Sequence, residues 1–352
     1  VWLAYALFAL ASSSYSSARA LGIGSGVALL GISFASSRAA AGGTDLVWNY
    51  WRTTYLCASI IGLVSLAILA VAPLYARDLA DPGAYRMRGI TGSANSLGPI
   101  MAVGAILSIS LFKLTQRTWQ RYLYVMLGVM FVVALVLTNS RSTIIGFVVC
   151  LPFVAVVARR QWIWSVLVGL LVMSVSFALV LEPNLFKGLL AIFTELFSRS
   201  GHSQEITSMT GRSQIWAACW KLIKAQPWLG YGLGSVRVEI PKVFFDQWGN
   251  TAATAHNFFL ESMISVGLLG TSLLLVVLFW SFAGLLRYVG SAQVGGSILD
   301  RELALVALRC MAMLLVHSMV ERAYAGMAAP STLILGLCAG TFVHLSLRRS
   351  MV

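Results

Sequence analysis

The sequence has little charge. Asp, Glu, Lys and Arg make up 11% of its 352 residues, hydrophobic residues make up 59%, and the mean hydropathy is +0.83. A soluble domain carries about 25% charged residues, so this composition excludes a water-soluble globular protein and indicates one that crosses a bilayer several times. Acids are scarcest, with 12 Asp and Glu against 25 Lys and Arg. Membrane proteins keep basic residues in cytoplasmic loops for topological reasons, and this explains the excess positive charge without a nucleic-acid partner. We therefore expect contact with the lipid bilayer and no nucleic-acid partner.

Other absences narrow the chemistry. The five cysteines are scattered along the chain, so no disulfide framework is predicted. The segments assigned below to the outer side contain no Asp-x-Asp, no adjacent carboxylates and no His/Cys cluster with metal-ligand spacing. We therefore expect no metal ion and no cofactor, and a pyrophosphate here would have to be neutralised by arginines. The sequence begins inside an apolar segment at Val1, so the prediction leaves room for further native helices before it.

The hydropathy pattern predicts an all-α polytopic membrane protein with about ten transmembrane helices, each needing about 20 apolar residues. The predicted spans are 1–14, 20–36, 54–75, 97–113, 122–138, 143–158, 162–181, 258–285, 303–320 and 328–346. The chain is thus divided into seven helices with short outer loops (1–181), one large outer loop with an amphipathic helix (182–256), and three further helices (257–352).

Basic clusters predict the orientation. If the spans alternate, the clusters at 113–121, 158–161 and 347–350 fall on one side, which basic-rich short loops identify as the cytoplasm. The outer side then receives four informative pieces: 85–98, 138–143, the large loop 182–256, and 320–326. These pieces bring several basic residues to the outer face in spite of the positive-inside rule, so they need another explanation. They are Arg86, Arg88, Arg141, Arg212, His256 and Arg322.

The large outer loop contains a predicted amphipathic helix that follows Thr210 and ends at Pro227. Its apolar face is predicted to comprise Ile215, Trp216, Cys219, Trp220, Leu222 and Ile223. The sequence GYGLG (230–234) predicts a turn that lets the backbone approach a ligand closely, although a capped helix and a simple turn explain the same residues.

The arginines have two readings. Arg212 lies in the first turn of the amphipathic helix, where the positive helix end and the guanidinium can face one anion. Arg141 lies in a very short turn between two membrane segments, where a charge is costly unless it is used. Arginine presents a planar fork of donors suited to phosphate. For Arg141 the alternative is that its side chain only extends to the lipid headgroups, and this alternative also applies to Arg86, Arg88 and Arg322.

His256 and Asn257 directly precede a long apolar run in TAATAHNFFLESMISVGLLG (251–270). A neutral imidazole can remove a proton from a hydroxyl near neutral pH, and Asn257 could orient it or donate to a substrate oxygen. The alternative is that the pair caps the helix. His317, within a predicted span, is expected to be structural.

Four outer pieces carry a family resemblance. They are RMRGITGSANSLG (86–98), NSRSTIIGF (139–147), GRSQIWAACWKLIKAQPWLGYGLG (211–234) and AHNFFLESMISVGLLG (255–270). In the first, the register is kept at Arg86, Gly89, Asn95 and Gly98, with Ala94 where proline is usual. In this order they resemble the motifs of the O-antigen ligase and polymerase superfamily of bacterial inner-membrane glycosyltransferases, and they resemble the ligase most.

The resemblance implies a GT-C-like fold, a multi-pass inner-membrane location and an active site on the periplasmic face. It implies transfer of O-antigen polysaccharide from undecaprenyl pyrophosphate to a hydroxyl of the lipid A–core oligosaccharide, with inversion and without a metal ion. Arg141 and Arg212 would bind the pyrophosphate, His256 would be the base, and four residues would contact substrate: Arg86, Arg88, Asn257 and Arg322. An O-antigen or exopolysaccharide polymerase and a protein O-oligosaccharyltransferase of the same superfamily stay open. From another class of protein, so does a lipid-linked glycan transporter.

Overall fold

The computed structural model describes residues 2–78, 86–158, 212–245, 251–291, 297–321 and 329–349. Across these ranges the regular structure is helical, and the extended pairing is a single isolated bridge between Arg77 and Met87. The predicted all-α class is therefore confirmed for the described part of the chain.

Twelve α-helices are described, together with a short 3₁₀ turn at Ser13–Tyr15. Their bounds are α1 Trp2–Ser12, α2 Arg19–Ala41, α3 Thr44–Val71, α4 Pro73–Ala76, α5 Ala94–Leu114, α6 Thr118–Thr138, α7 Arg141–Ala158, α8 Arg212–Ala225, α9 Val236–Val243, α10 Phe258–Ser291, α11 Ile298–Ser318 and α12 Pro330–Arg349.

Six of these helices are long and apolar enough to cross a membrane: α2, α3, α5, α6, α10 and α12. The protein is thus a multi-pass membrane protein. Three further predicted spans are also helices, but α1 has 11 residues, α7 has only a short apolar stretch, and α11 carries four charged side chains. The remaining predicted span, 162–181, lies outside the described residues.

The bundle is built around α5, which is buried along most of its length and packs against α3, α6, α7 and α11. By contrast, α6 exposes large apolar side chains along its outer face, including Tyr122, Met126 and Val129. Such a face suits contact with lipid, where apolar exposure carries no cost.

The segment between α7 and α10 contributes α8 and α9, which pack against each other and against the start of α10. The apolar stripe of α8 was predicted well at Ile215, Cys219, Leu222 and Ile223, which are buried. The prediction was wrong for Trp220, whose side chain is 46% exposed. At about 100° per residue, Trp220 lies about 100° around the helix from the centre of that stripe, so it is on the flank of α8 and not on its buried face.

The turn after α8 joins a break in α10. Gly267 has φ 62° and ψ −168°, a conformation that only glycine adopts readily, and it interrupts the helical hydrogen bonds. The turn replaces them: the amides of Leu268 and Leu269 donate to the carbonyls of Pro227 and Trp228 at 2.8 and 3.2 Å. Backbone groups in a membrane helix must be satisfied within the protein, and here the carbonyls of Pro227 and Trp228, between α8 and the glycine-rich turn 230–234, supply the acceptors. The turn itself also lies against the backbone of α10, since the amide of Tyr231 donates to the carbonyl of Ile264 at 2.8 Å, whereas the sequence predicted that this turn would approach a ligand.

Candidate active site

Four helices begin close to one point, where α11 ends. Asn95 is the second residue of α5, Arg141 is the first residue of α7, and Arg212 is the first residue of α8. His256 lies two residues before α10 begins at Phe258. Each helix N-terminus carries a partial positive charge from its unpaired amides. The arrangement therefore brings together positive helix ends and arginine side chains from distant parts of the sequence.

Glu321, three residues beyond the end of α11, joins these elements. Its Oε1 accepts hydrogen bonds from Arg212 Nη2 and from Asn95 Nδ2, both at 2.6 Å. Its Oε2 lies 3.1 Å from His256 Nδ1. Arg212 Nη1 also donates to the carbonyl of Val320. One carboxylate thus holds two side chains from the starts of α5 and α8 and a third from the segment that leads into α10.

The Glu321 carboxyl is 6% exposed and is nevertheless set up to be ionised. Burial alone would raise its pKa, but the hydrogen bond and charge of His256, together with the Arg212 guanidinium, outweigh burial and hold the pKa below its usual value. An ionised carboxylate can only accept hydrogen bonds. His256 Nδ1 must then carry the hydrogen that it shares with Glu321, and in the neutral ring the lone pair is on Nε2.

The residue before His256 is held in place by two hydrogen bonds. The amide of Ala255 donates to Glu261 Oε1 at 3.0 Å, and its carbonyl accepts from Trp216 Nε1 at 2.8 Å. His256 itself has φ 49°, a left-handed conformation that a residue other than glycine adopts only when its surroundings impose it. Its side chain is 36% exposed. The ring is therefore presented at the surface of the site from a fixed backbone.

Asn257 makes the capping contacts that were the alternative reading of the HN pair. Its Oδ1 accepts from the amide of Leu260 at 3.1 Å, and its Nδ2 donates to the carbonyl of Met319 at 2.8 Å. It ties the start of α10 to the end of α11. A direct role for Asn257 in substrate binding stays a prediction.

The two arginines in the segment before α5, Arg86 and Arg88, have different hydrogen-bond partners. Arg86 is buried, and its Nη2 donates to Asn95 Oδ1 at 2.5 Å, which extends the network from Glu321 through Asn95. Arg88 Nε donates instead to the carbonyl of Tyr75 at 3.1 Å. The network thus contains Arg86 and not Arg88.

Arg141 is half-buried at the tip between α6 and α7. The same tip packs against α5, because a Cβ added at Gly98 would lie 3.0 Å from Ser140 Cβ. The remaining predicted contact, Arg322, lies outside the described residues.

Sequence reasoning missed Glu321. The piece VERAYAG (320–326) was singled out for Arg322, and the acid next to it was passed over. A signal was present, since Glu321 is a lone acid directly after a predicted span, where a charge at the membrane boundary is costly unless paired.

Comparison with known proteins places these residues in context. Residues 126–275 match the family model described as O-antigen ligase, a span that contains Arg141, Arg212 and His256 but neither Arg86 nor Glu321. No curated protein matches the chain. Over residues 126–275 the chain is therefore similar to the O-antigen ligase family, and the resemblance to that superfamily predicted from its outer motifs is confirmed.

Proposed function

We propose that this protein is a glycosyltransferase of the O-antigen ligase type. It moves O-antigen polysaccharide from undecaprenyl pyrophosphate to a hydroxyl of the lipid A–core oligosaccharide. In this proposal the protein has a GT-C-like bundle of about ten spans in the bacterial inner membrane, and the site described above faces the periplasm. The observation that carries the proposal is the joining of Arg212, His256 and Asn95 on Glu321 where helix N-termini meet.

The donor's diphosphate suits this point. Each terminal nitrogen of Arg212, and Asn95 Nδ2, carries two hydrogens and uses one of them on Glu321 or the Val320 carbonyl, so the second N–H group of each can donate to a phosphate oxygen. Arg86 donates a hydrogen bond to Asn95, and the helix N-termini add partial positive charge. These groups would hold the diphosphate and stabilise the negative charge that grows on it as the sugar leaves. Arg141 would contribute from the start of α7.

The acceptor hydroxyl would be activated by His256. As the acceptor oxygen attacks the anomeric carbon, its proton passes to His256 Nε2, and the bond from that carbon to the phosphate oxygen breaks with its electrons leaving on the diphosphate. Glu321 holds the ring through Nδ1 and stabilises the imidazolium that forms. One base opposite one leaving group gives a single displacement with inversion and needs no covalent intermediate.

Glu321→Gln tests the coupling between the carboxylate and the base. The amide oxygen of Gln can still accept from Arg212 and Asn95, which leaves its NH₂ group facing His256 Nδ1. Nδ1 must then accept, so the hydrogen moves to Nε2 and the base is lost. We expect kcat to fall about a hundredfold or more, the scale of a general base, with a smaller change in donor KM. A loss confined to donor binding would contradict the assignment of Glu321 as partner of His256.

The proposed function is tested with purified protein, undecaprenyl-pyrophosphate-linked glycan and lipid A–core, with EDTA present throughout. Transfer to lipid A–core in the chelator is the expected result. Elongation of the donor's own glycan without transfer to lipid A–core would instead assign the protein as a polymerase. Movement of the lipid-linked glycan across a vesicle membrane without any transfer would overturn the enzyme proposal.

A further inference from the structure

The buried histidine at the end of α11 contacts the start of α7. His317 is 3% exposed, and its Nδ1 lies 2.9 Å from Ser142 Oγ and 3.0 Å from Thr143 Oγ1. Both hydroxyls belong to the first turn of α7, directly after Arg141. A buried imidazole is costly unless hydrogen-bonded, and here both of these partners come from one helix end.

The start of α7 is the tip of a tight helical hairpin. α6 ends at Thr138, Asn139 takes the left-handed conformation with φ 47°, and α7 begins at Arg141. Ser140 Oγ and Thr143 Oγ1 lie 2.9 Å apart across the first turn. The start of α7 therefore has a polar cluster on both sides of Arg141 in the sequence, formed by Ser140, Ser142, Thr143 and His317.

The same end of α11 also carries Glu321, four residues beyond His317 in the chain. Glu321 holds Arg212 and His256, whereas His317 holds the turn that carries Arg141. One helix end thus sets the relative position of the two arginine-bearing helix starts, α7 and α8.

We propose that His317 is a positioning residue that fixes the start of α7, and with it Arg141, relative to the Glu321 cluster, and thereby sets the affinity for the donor's diphosphate. The inference rests on the proposed function, in which Arg141 binds that diphosphate. His317 acts through its Nδ1 contact with the α7 hydroxyls and takes no proton from substrate.

Two amide substitutions distinguish the role of His317 Nδ1 from that of Nε2. In His317→Asn, the amide can present a hydrogen-bonding atom where Nδ1 was, and in His317→Gln it can present one where Nε2 was. We expect His317→Asn to bind undecaprenyl diphosphate in nanodiscs within about twofold of wild type, and His317→Gln to bind it about tenfold more weakly, the scale of one or two lost hydrogen bonds. Thr143→Val, which removes a hydroxyl partner, should weaken binding in the same direction. Equal affinities for the Asn and Gln variants, with Thr143→Val unchanged, would overturn the inference.

A double-mutant cycle decides whether the effect passes through Arg141. If it does, His317→Gln adds little to the loss of affinity caused by Arg141→Ala, whereas independent effects would add. Additive losses would overturn the positioning role. Binding that is insensitive to His317 but lost in Arg212→Ala would remove this inference and leave the proposed function standing. Wild-type protein that fails to bind the lipid diphosphate would remove both.

Discussion

His256→Asn is expected to abolish most turnover while leaving donor binding intact. Asparagine adopts the left-handed conformation that position 256 requires more readily than most residues. Its Nδ2 can also donate to Glu321 where Nδ1 does in the native ring. The substitution therefore keeps the backbone and the carboxylate contact and removes the Nε2 base. We expect kcat for transfer to lipid A–core to fall by about 10² to 10⁴, the usual contribution of a general base.

The matched comparison is His256→Ala, which removes the base and the Glu321 contact together. Both variants should lose turnover, and only the alanine variant should also lower the thermal stability. Undecaprenyl diphosphate affinity should stay within a few-fold of wild type in the asparagine variant. A near-native kcat in His256→Asn would mean that the sequence AHN (255–257) serves only to cap the helix, and that another residue is the base.

Much of the architecture was predictable because bilayer physics is local. An apolar run of about 20 residues predicts a span whatever lies elsewhere in the chain. Accordingly α2, α5 and α10 begin at residues 19, 94 and 258, where the predicted starts are 20, 97 and 258, and they end at 41, 114 and 291, beyond the predicted ends at 36, 113 and 285. The amphipathic α8 was predictable from helical spacing for the same reason. The exposure of Trp220 was not, because it depends on which neighbour covers each flank of the helix.

The site was predictable only in part. Arg212 and His256 stood out because each begins or precedes a helix in a segment where positive charge is otherwise disfavoured. Glu321 could not be paired with them from sequence, since the contacts join positions 65 and 109 residues apart. The choice between Arg86 and Arg88 likewise depends on the direction that each side chain takes from an irregular segment, which no periodicity predicts.

Arg212→Ala is expected to weaken donor binding strongly, whereas His256→Asn leaves it intact. The side chain donates through both terminal nitrogens, to Glu321 and to the Val320 carbonyl, and its removal leaves a buried carboxylate without a main partner. In the proposed complex the guanidinium also donates to the diphosphate, and a hydrogen bond to a charged group contributes about 1.5 to 3 kcal/mol, so the dissociation constant for undecaprenyl diphosphate should rise by a factor between about 10 and 150.

Arg212→Lys should recover less than about tenfold of that affinity, because an ammonium group cannot reproduce a planar fork of two donors. Arg237→Ala provides the control, since Arg237 is an exposed arginine on α9, the helix that packs against α8. Arg237→Ala removes the same single positive charge as Arg212→Ala does. It should leave the affinity for undecaprenyl diphosphate within about twofold of wild type, as expected for an exposed charge. If Arg237→Ala and Arg212→Ala weaken binding alike, general attraction of the anionic donor explains both. If Arg212→Ala changes only kcat, its role is to hold Glu321 against His256, and the diphosphate must be bound elsewhere, with Arg141 as the next arginine to test.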